Sequence, residues 1–363
     1  MVLAVASGPP TRASAQSPEL RARGGTTVYS DDQRTTIISP FASVGARLPE
    51  QVDVDLAWEA DVISSASVDV VTAATPAINE LRNQFTLSGA RESLLEDFDL
   101  RASYAYSFER DSFSHVGTVA GRQGLLQDNV ELGVQYSFSY NRLGLSNEPS
   151  ELWHDLLVHN LEVDVVVLLD PATQVQLIYS GAWHDGYQQS PYRRVPINWR
   201  TDLRGAQWLN EEAPDTRIRH AVTARVERAF GPLLLAYLDY RFYVDDWSVI
   251  AHTVQLRAVA RLGDAATFQV RGRGTYQGAA SFYRQNYESP TTYRTRDRRL
   301  SAHLSGMAGA SMVFRLGSFL GIDALDLRLA VDGVAFEYAE FAVMNLTPFG
   351  DADQGTLGWV FGM

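Results

Sequence analysis

The stretch Gln127–Asn141, QDNVELGVQYSFSYN, alternates residue by residue. Val130, Leu132, Val134, Tyr136, Phe138 and Tyr140 fall on one face; Asn129, Glu131, Gln135, Ser137, Ser139 and Asn141 fall on the other. A period of two means a β-strand with one apolar and one polar side. The pattern recurs from about residue 35 to the end of the chain, and no long amphipathic helix interrupts it. A water-soluble barrel turns its apolar stripe inward. A transmembrane barrel turns that stripe to lipid and its polar stripe into the lumen. Chain length, aromatic strand ends and long polar loops favour the membrane case.

Composition narrows the possibilities. The 363 residues show no compositional break that would mark a linker. Cysteine is absent, which excludes a disulfide framework, a thiolate metal site and a cysteine nucleophile. The net charge of −12 argues against a nucleic-acid surface. All 31 basic residues are arginine, which fits either a GC-rich genome or guanidinium forks paired with carboxylates in a lumen. No window holds enough consecutive apolar residues for a transmembrane helix. Residues 1–20, with Ala13-Ser14-Ala15-Gln16, read either as the remnant of a secretory signal or as a disordered polar tail. Residues 21–363 read as one barrel domain.

Following the alternation between turn signals gives an all-β fold, a single closed antiparallel transmembrane β-barrel of about 16 strands, with 14 as the lower bound. Val52–Ser64, Trp153–Leu169, Gln174–Tyr187, Asp215–Ala229, Leu233–Asp245, Val249–Arg261 and Arg298–Arg315 are among these segments. Short turns at Pro49–Gln51, Asp170–Thr173, Phe230–Pro232 and Leu262–Asp264 never share an end with the long connections Ser65–Glu80, Gln188–Pro214 and Ala280–Asp297. Outer-membrane barrels have short periplasmic turns and longer outside loops, so both chain ends belong in the periplasm. Trp58, Tyr104, Tyr136, Tyr140, Tyr179 and Trp183 lie on the lipid-facing stripes, where interfacial aromatics are expected.

The opposite stripe supplies the expected lumen lining: Asp53, Asp55, Glu59, Asp61, Asp99, Arg101, Glu131, Glu162, Asp164, Arg225, Glu227, Asp239, Arg241, Arg257, Arg271, Arg273, Arg299, Asp326 and Arg328. Early strands contribute mostly acids and later ones mostly arginines. These sets either pair as structural salt bridges or face each other across water as a transverse field.

Residues Tyr240–Thr253 read YRFYVDDWSVIAHT, and Tyr276–Tyr283 read YQGAASFY. They resemble the signature of an uncharacterised bacterial outer-membrane β-barrel family, a domain of unknown function with a YRYYxDDW segment, a small residue before His-Thr, and a QxxAxFY segment one strand later. The matching positions are Tyr240, Arg241, Tyr243, Asp245, Asp246, Trp247, His252, Thr253, Gln277, Ala280, Phe282 and Tyr283. Phe242 departs from the usual Tyr, and Ala251 from the usual Ser. Asp61–Arg82 resembles the family's N-terminal pattern. The resemblance implies an outer-membrane barrel with no established activity. Neighbouring genes of the family imply envelope redox work.

Candidate chemistry is thin. Asp245, Asp246, Trp247 and His252 around one outer turn could hold a divalent cation, but turn capping and interfacial anchoring account for them more simply. Asp351 and Asp353 read as a solvated turn. The seven histidines show no HxxxH or HExxH spacing. Gly272-Arg273-Gly274 lies within a strand with no following helix, against a dinucleotide loop. A rim hydrolase would need a site around His115 with Ser112 and Ser114, or His184 beside Asp185, and nothing fixes partners for them. The expectation is therefore a non-enzymatic, cofactor-free pore for small polar solutes. The alternative is a sheath for a periplasmic or lipoprotein redox partner.

Overall fold

A computed structural model describes residues 19–31, 35–65, 78–198, 206–319, 322–339 and 355–362. The suspected leader, most of the Ser65–Glu80 loop, and Asp351 and Asp353 lie outside these residues. The wall begins with β1 (Glu19–Asp31), β2 (Thr35–Leu48), β3 (Val52–Ser65), β4 (Ile78–Leu95), β5 (Phe98–Phe108) and β6 (Ser112–Leu125). It continues through β7 (Val130–Leu143), β8 (His154–Asp170) and β9 (Thr173–Gly186). A separate small hairpin follows, β10 (Arg194–Ile197) with β11 (Gln207–Asn210). The wall resumes with β12 (Thr216–Phe230), β13 (Leu234–Asp245), β14 (Ile250–Leu262) and β15 (Ala266–Gln277), and ends with β16 (His303–Phe319), β17 (Ile322–Tyr338) and β18 (Gly355–Gly362).

Each wall strand pairs antiparallel with the next, β9 pairing with β12 across the small hairpin. Thr27–Asp31 of β1 pair with Gly358–Gly362 of β18. Such ladders satisfy the backbone groups that hydrocarbon would leave unpaired. No α-helix occurs among the described residues.

Short turns and long loops separate to opposite ends, as the sequence suggests. At Asp170–Thr173 the Asp170 carboxylate accepts the Ala172 N–H at 2.8 Å, an Asx turn. Gly231 and Gly263 occupy left-handed φ values of 69° and 64° in the tight turns before β13 and β15, where other residues would be strained.

The faces sort by chemistry. Large apolar side chains such as Leu56, Leu87, Val134, Leu161, Leu177, Val222, Leu238 and Leu256 stand exposed around the outside. Their sequence neighbours are mostly polar or small, with Ile178 and Tyr237 as exceptions, and point to the concave side. An exposed apolar belt of this extent marks contact with lipid. The best-buried residues, including Val195, Pro196, Tyr283, Thr295 and Ser301, are not in the wall at all. They lie in the loops at the outer end.

Candidate functional site

The concave wall is laced with local ion pairs. On β1–β3, Arg21 and Arg47 meet Asp53 at 2.5 and 3.0 Å, and Arg47 also reaches Glu92 at 2.8 Å. Arg225 forks onto Asp239 at 2.7 and 3.2 Å and touches Gln176 at 3.3 Å. Arg257 lies over the Tyr237 ring, 3.7 Å from its centroid.

Three pairs share one construction. Arg21, Gly45 and Asp55 stand in one row across three strands, as do Arg122, Gly133 and Asp164, and Arg271, Gly309 and Asp332. In each row the arginine reaches over the middle strand toward the carboxylate, with Arg271 Nε 2.7 Å from Asp332. A Cβ on any of the three glycines would overlap that carboxylate. Glycine here provides close approach, not flexibility. The neutralisation within these pairs is thus local, between strands one or two apart.

Some charges stay out of these pairs. Glu162, Arg219 and Arg241 surround a recess of about 350 Å³ floored by Ser180, Ala182 and Ala221. Among the described residues none of the three makes a salt bridge. Glu162 accepts only the Ser180 hydroxyl, at 3.0 Å. A second recess of about 530 Å³ contains Arg23 and Arg101 beside the Asp53 cluster.

Above the wall the two long loops fold on each other as a cap. Val195 and Ile197 of the small hairpin pack with Tyr287, while Ala213, Trp247, Val249, Ala280 and Tyr283 form a second apolar cluster. Arg193 bridges Glu211 at 3.0 Å and Asp297 at 3.1 Å, and the Thr295 hydroxyl donates to Glu211. Burial alone would push the Asp297 carboxyl up. The Arg193 and Arg299 guanidiniums overcome this and hold it at about 2. The cap shares a recess with the lumen-side residues Leu143 and Leu156. It is tied to the β5–β6 and β7–β8 loops by the Tyr192 hydroxyl, which donates to Asp111 at 2.7 Å and accepts the Ser146 N–H at 2.8 Å.

The motif residues divide between this cap and the two faces of the wall. Asp245 accepts Arg217 Nε at 2.9 Å, the Tyr243 hydroxyl at 2.8 Å and the Val249 N–H at 2.9 Å. Trp247 covers the Arg217 guanidinium at 4.2 Å, and Phe282 meets its edge at 5.1 Å. Gln277 donates to the carbonyls of Arg299 and Ser301, and Thr253 meets Thr275 on the lumen side. Asp246 accepts the Ile218 N–H instead, and His252 faces outward to Tyr240. The four residues considered for a cation therefore do not converge, and no cluster of metal-binding type occurs among the described residues. His115 also faces outward, bonded to Tyr104, while Ser112 and Ser114 stand at the opposite parity of the same strand.

One lumen expectation is corrected. Arg299 lies in the 3-10 turn Arg298–Leu300, not in a wall strand, which begins only at His303. The Asp297 carboxylate accepts the Arg299 N–H at 3.0 Å and turns the chain into the cap. The other expected lining residues sit on wall strands with the parity of the concave face. Sequence reading missed the cap network of Arg193, Glu211, Thr295 and Asp297. Its clearest local signal is the Val195-Pro196-Ile197 run inside a loop rich in polar residues.

A sheet apolar outside, ionic inside and capped at its long-loop end defines an outer-membrane β-barrel protein. Residues 154–329 match a protein family described as a protein of unknown function (DUF3570), over the span that holds the cap and both signature segments. The bacterial polysaccharide outer membrane secretin superposes with a TM-score of 0.50 at 12% identity, over 97% of this chain and 98% of its own. The siderophore receptor PirA from Pseudomonas aeruginosa aligns with a TM-score of 0.48 at 11% identity over 96% of this chain, which spans 62% of the receptor. CdiB from Acinetobacter baumannii gives 0.48 at 10%, covering 94% of this chain and 60% of its own. At these identities the likeness to the secretin concerns the fold alone. No curated protein matches the sequence.

Proposed function

We propose that the chain forms a closed barrel of about 16 strands and passes small polar solutes across the outer membrane without catalysing a reaction. The observation that carries this reading is the concave wall. It is predominantly polar, and Glu162, Arg219 and Arg241, which make no salt bridge among the described residues, supply charges that a solute could meet. Fixed charges of this kind set ion preference in pores. The cap narrows the outer mouth and would limit solute size.

Conductance of the refolded chain in a planar lipid bilayer tests the proposal. Steady, ion-selective steps are expected. Arg273→Glu, at a position without a salt bridge among the described residues, should move selectivity toward cations. A folded, inserted but silent barrel would refute the open passage.

A further inference from the structure

One feature of the lipid face repeats five times. Trp58, Tyr104, Tyr136, Tyr179 and Tyr240 are each the seventh residue of an upward strand, namely β3, β5, β7, β9 and β13. Each bonds a polar side chain on the next strand of the wall. Tyr104 meets His115 Nδ1 at 2.6 Å, Tyr136 meets His159 at 2.7 Å, Tyr179 meets His220 at 2.8 Å and Tyr240 meets His252 at 2.8 Å. Trp58 Nε1 donates to Asn83 Oδ1 at 3.3 Å. The register is the same throughout: the partner lies opposite the residue two places beyond the aromatic.

The proton positions follow from the surroundings. A phenol O–H on a lipid face needs an acceptor, and imidazole Nδ1 is the one within reach. Reversing the bond would orphan that O–H. With Nδ1 accepting, the neutral ring carries its proton on Nε2. Among the described residues no hydrogen bond is made by Nε2 of His115, His159, His220 or His252. Flanking rings hold the imidazoles in place: Phe138 and Trp183 lie 5.0 and 5.2 Å from His159, and Phe242 lies 5.3 Å from His252.

Height identifies the acceptor. Exposed Leu95, Leu126, Leu169 and Leu233 put the lower lipid boundary at the short turns. At about 3.4 Å per residue and a tilt near 40°, the histidines stand about 20 Å above it, in the upper fifth of an apolar band about 25 Å tall. That is the level at which acyl chains join their headgroups. We propose that this girdle binds outer-leaflet lipids, the four imidazole Nε2–H groups donating to acyl ester or amide carbonyls. A girdle needed only for wall stability would be served by Phe opposite Leu, which leaves no polar group unpaired. The inference rests on the outer-membrane fold and not on the passage of solutes.

The test uses the full chain with 15N-histidine, inserted in vesicles of phosphatidylcholine carrying 13C at the ester carbonyl, and solid-state NMR. Through-space contacts from Nε2 to lipid carbonyl carbon are expected for the four outward histidines and not for the inward His154, His184 and His303. Tyr136→Phe should weaken the contact at His159 several-fold and leave those at His115, His220 and His252 intact. Contacts only to phosphorus, or Nε2 protons that exchange with water as fast as the inward ones, would overturn the proposal. So would an unchanged His159 contact in Tyr136→Phe.

Discussion

Arginine placed at Val134 and at Gln135 should separate the two faces of the wall. Val134 is the fifth residue of β7, about 10 Å above the strand's lower end and so close to the bilayer midplane. It is half exposed on the apolar side, between Gly121 and Val163. No acidic side chain neighbours it there. The nearest polar group above is the Tyr136–His159 pair, about 5–10 Å higher, which offers no carboxylate to pair with a guanidinium. Val134→Arg should therefore cost about 2–4 kcal/mol, the value for arginine at mid-bilayer. Val163→Arg, directly opposite, should match it. Gln135 points the other way and lies opposite Glu162. An arginine there gains a carboxylate, so Gln135→Arg should cost less than about 1 kcal/mol. Leu169→Arg, at the lower rim, should cost about 0–1 kcal/mol. Guanidinium-dependent unfolding from phospholipid vesicles, followed by tryptophan fluorescence, measures all four. Equal losses at 134 and 135 would refute the assignment of faces.

Gly309→Val should destabilise the wall by about 1–3 kcal/mol, because its side chain would displace the buried Asp332 carboxylate from Arg271. Adding Asp332→Ala should recover part of that loss, a non-additivity the same unfolding assay reads. Trp247→Ala should cost the cap about 3–5 kcal/mol, seen as lost hydrogen-exchange protection in residues 278–302 with wall amides unchanged. The cap should also loosen in acid. The Asp297 carboxyl titrates at about 2 when folded, below its ordinary 3.8, so its contribution is complete above pH 4 and vanishes as the pH falls through 2. The difference amounts to about 2 kcal/mol. Protease cleavage within 278–302 should rise over that window, and Asp297→Asn should abolish the acid dependence.

The wall was legible in sequence because most of its strands follow one rule, an apolar residue at nearly every second place, with turn chemistry at Asp170–Thr173, Phe230–Pro232 and Leu262–Asp264 marking the ends. The cap was not, because its buried residues have no period. Val195 and Ile197 owe their burial to Tyr287, nearly a hundred positions away. Arg298 and Arg299 read as the start of a strand, since nothing local reveals that Asp297 accepts the Arg299 N–H and bends the chain. The lipid-facing aromatics were readable by parity. Their histidine partners were not, because a diagonal pair depends on register between strands, which alternation alone leaves open.

The location of the family signature bears on function. Asp245, Trp247, Ala280, Phe282 and Tyr283 carry the resemblance, and the structure uses them to fix two loops over the outer mouth. Arg217 makes the arrangement stiff: it is a buried cation held between the Asp245 carboxylate and the Trp247 ring, and removing either partner strands its charge. A polar lumen by itself needs no such fixture, since water satisfies its groups. On the proposed passage of solutes, a rigid lid at one end and local ion pairs along the wall would restrict what enters. The same proposal places solute specificity in the gap between the cap and the recess of Glu162, Arg219 and Arg241, and not in any single motif residue.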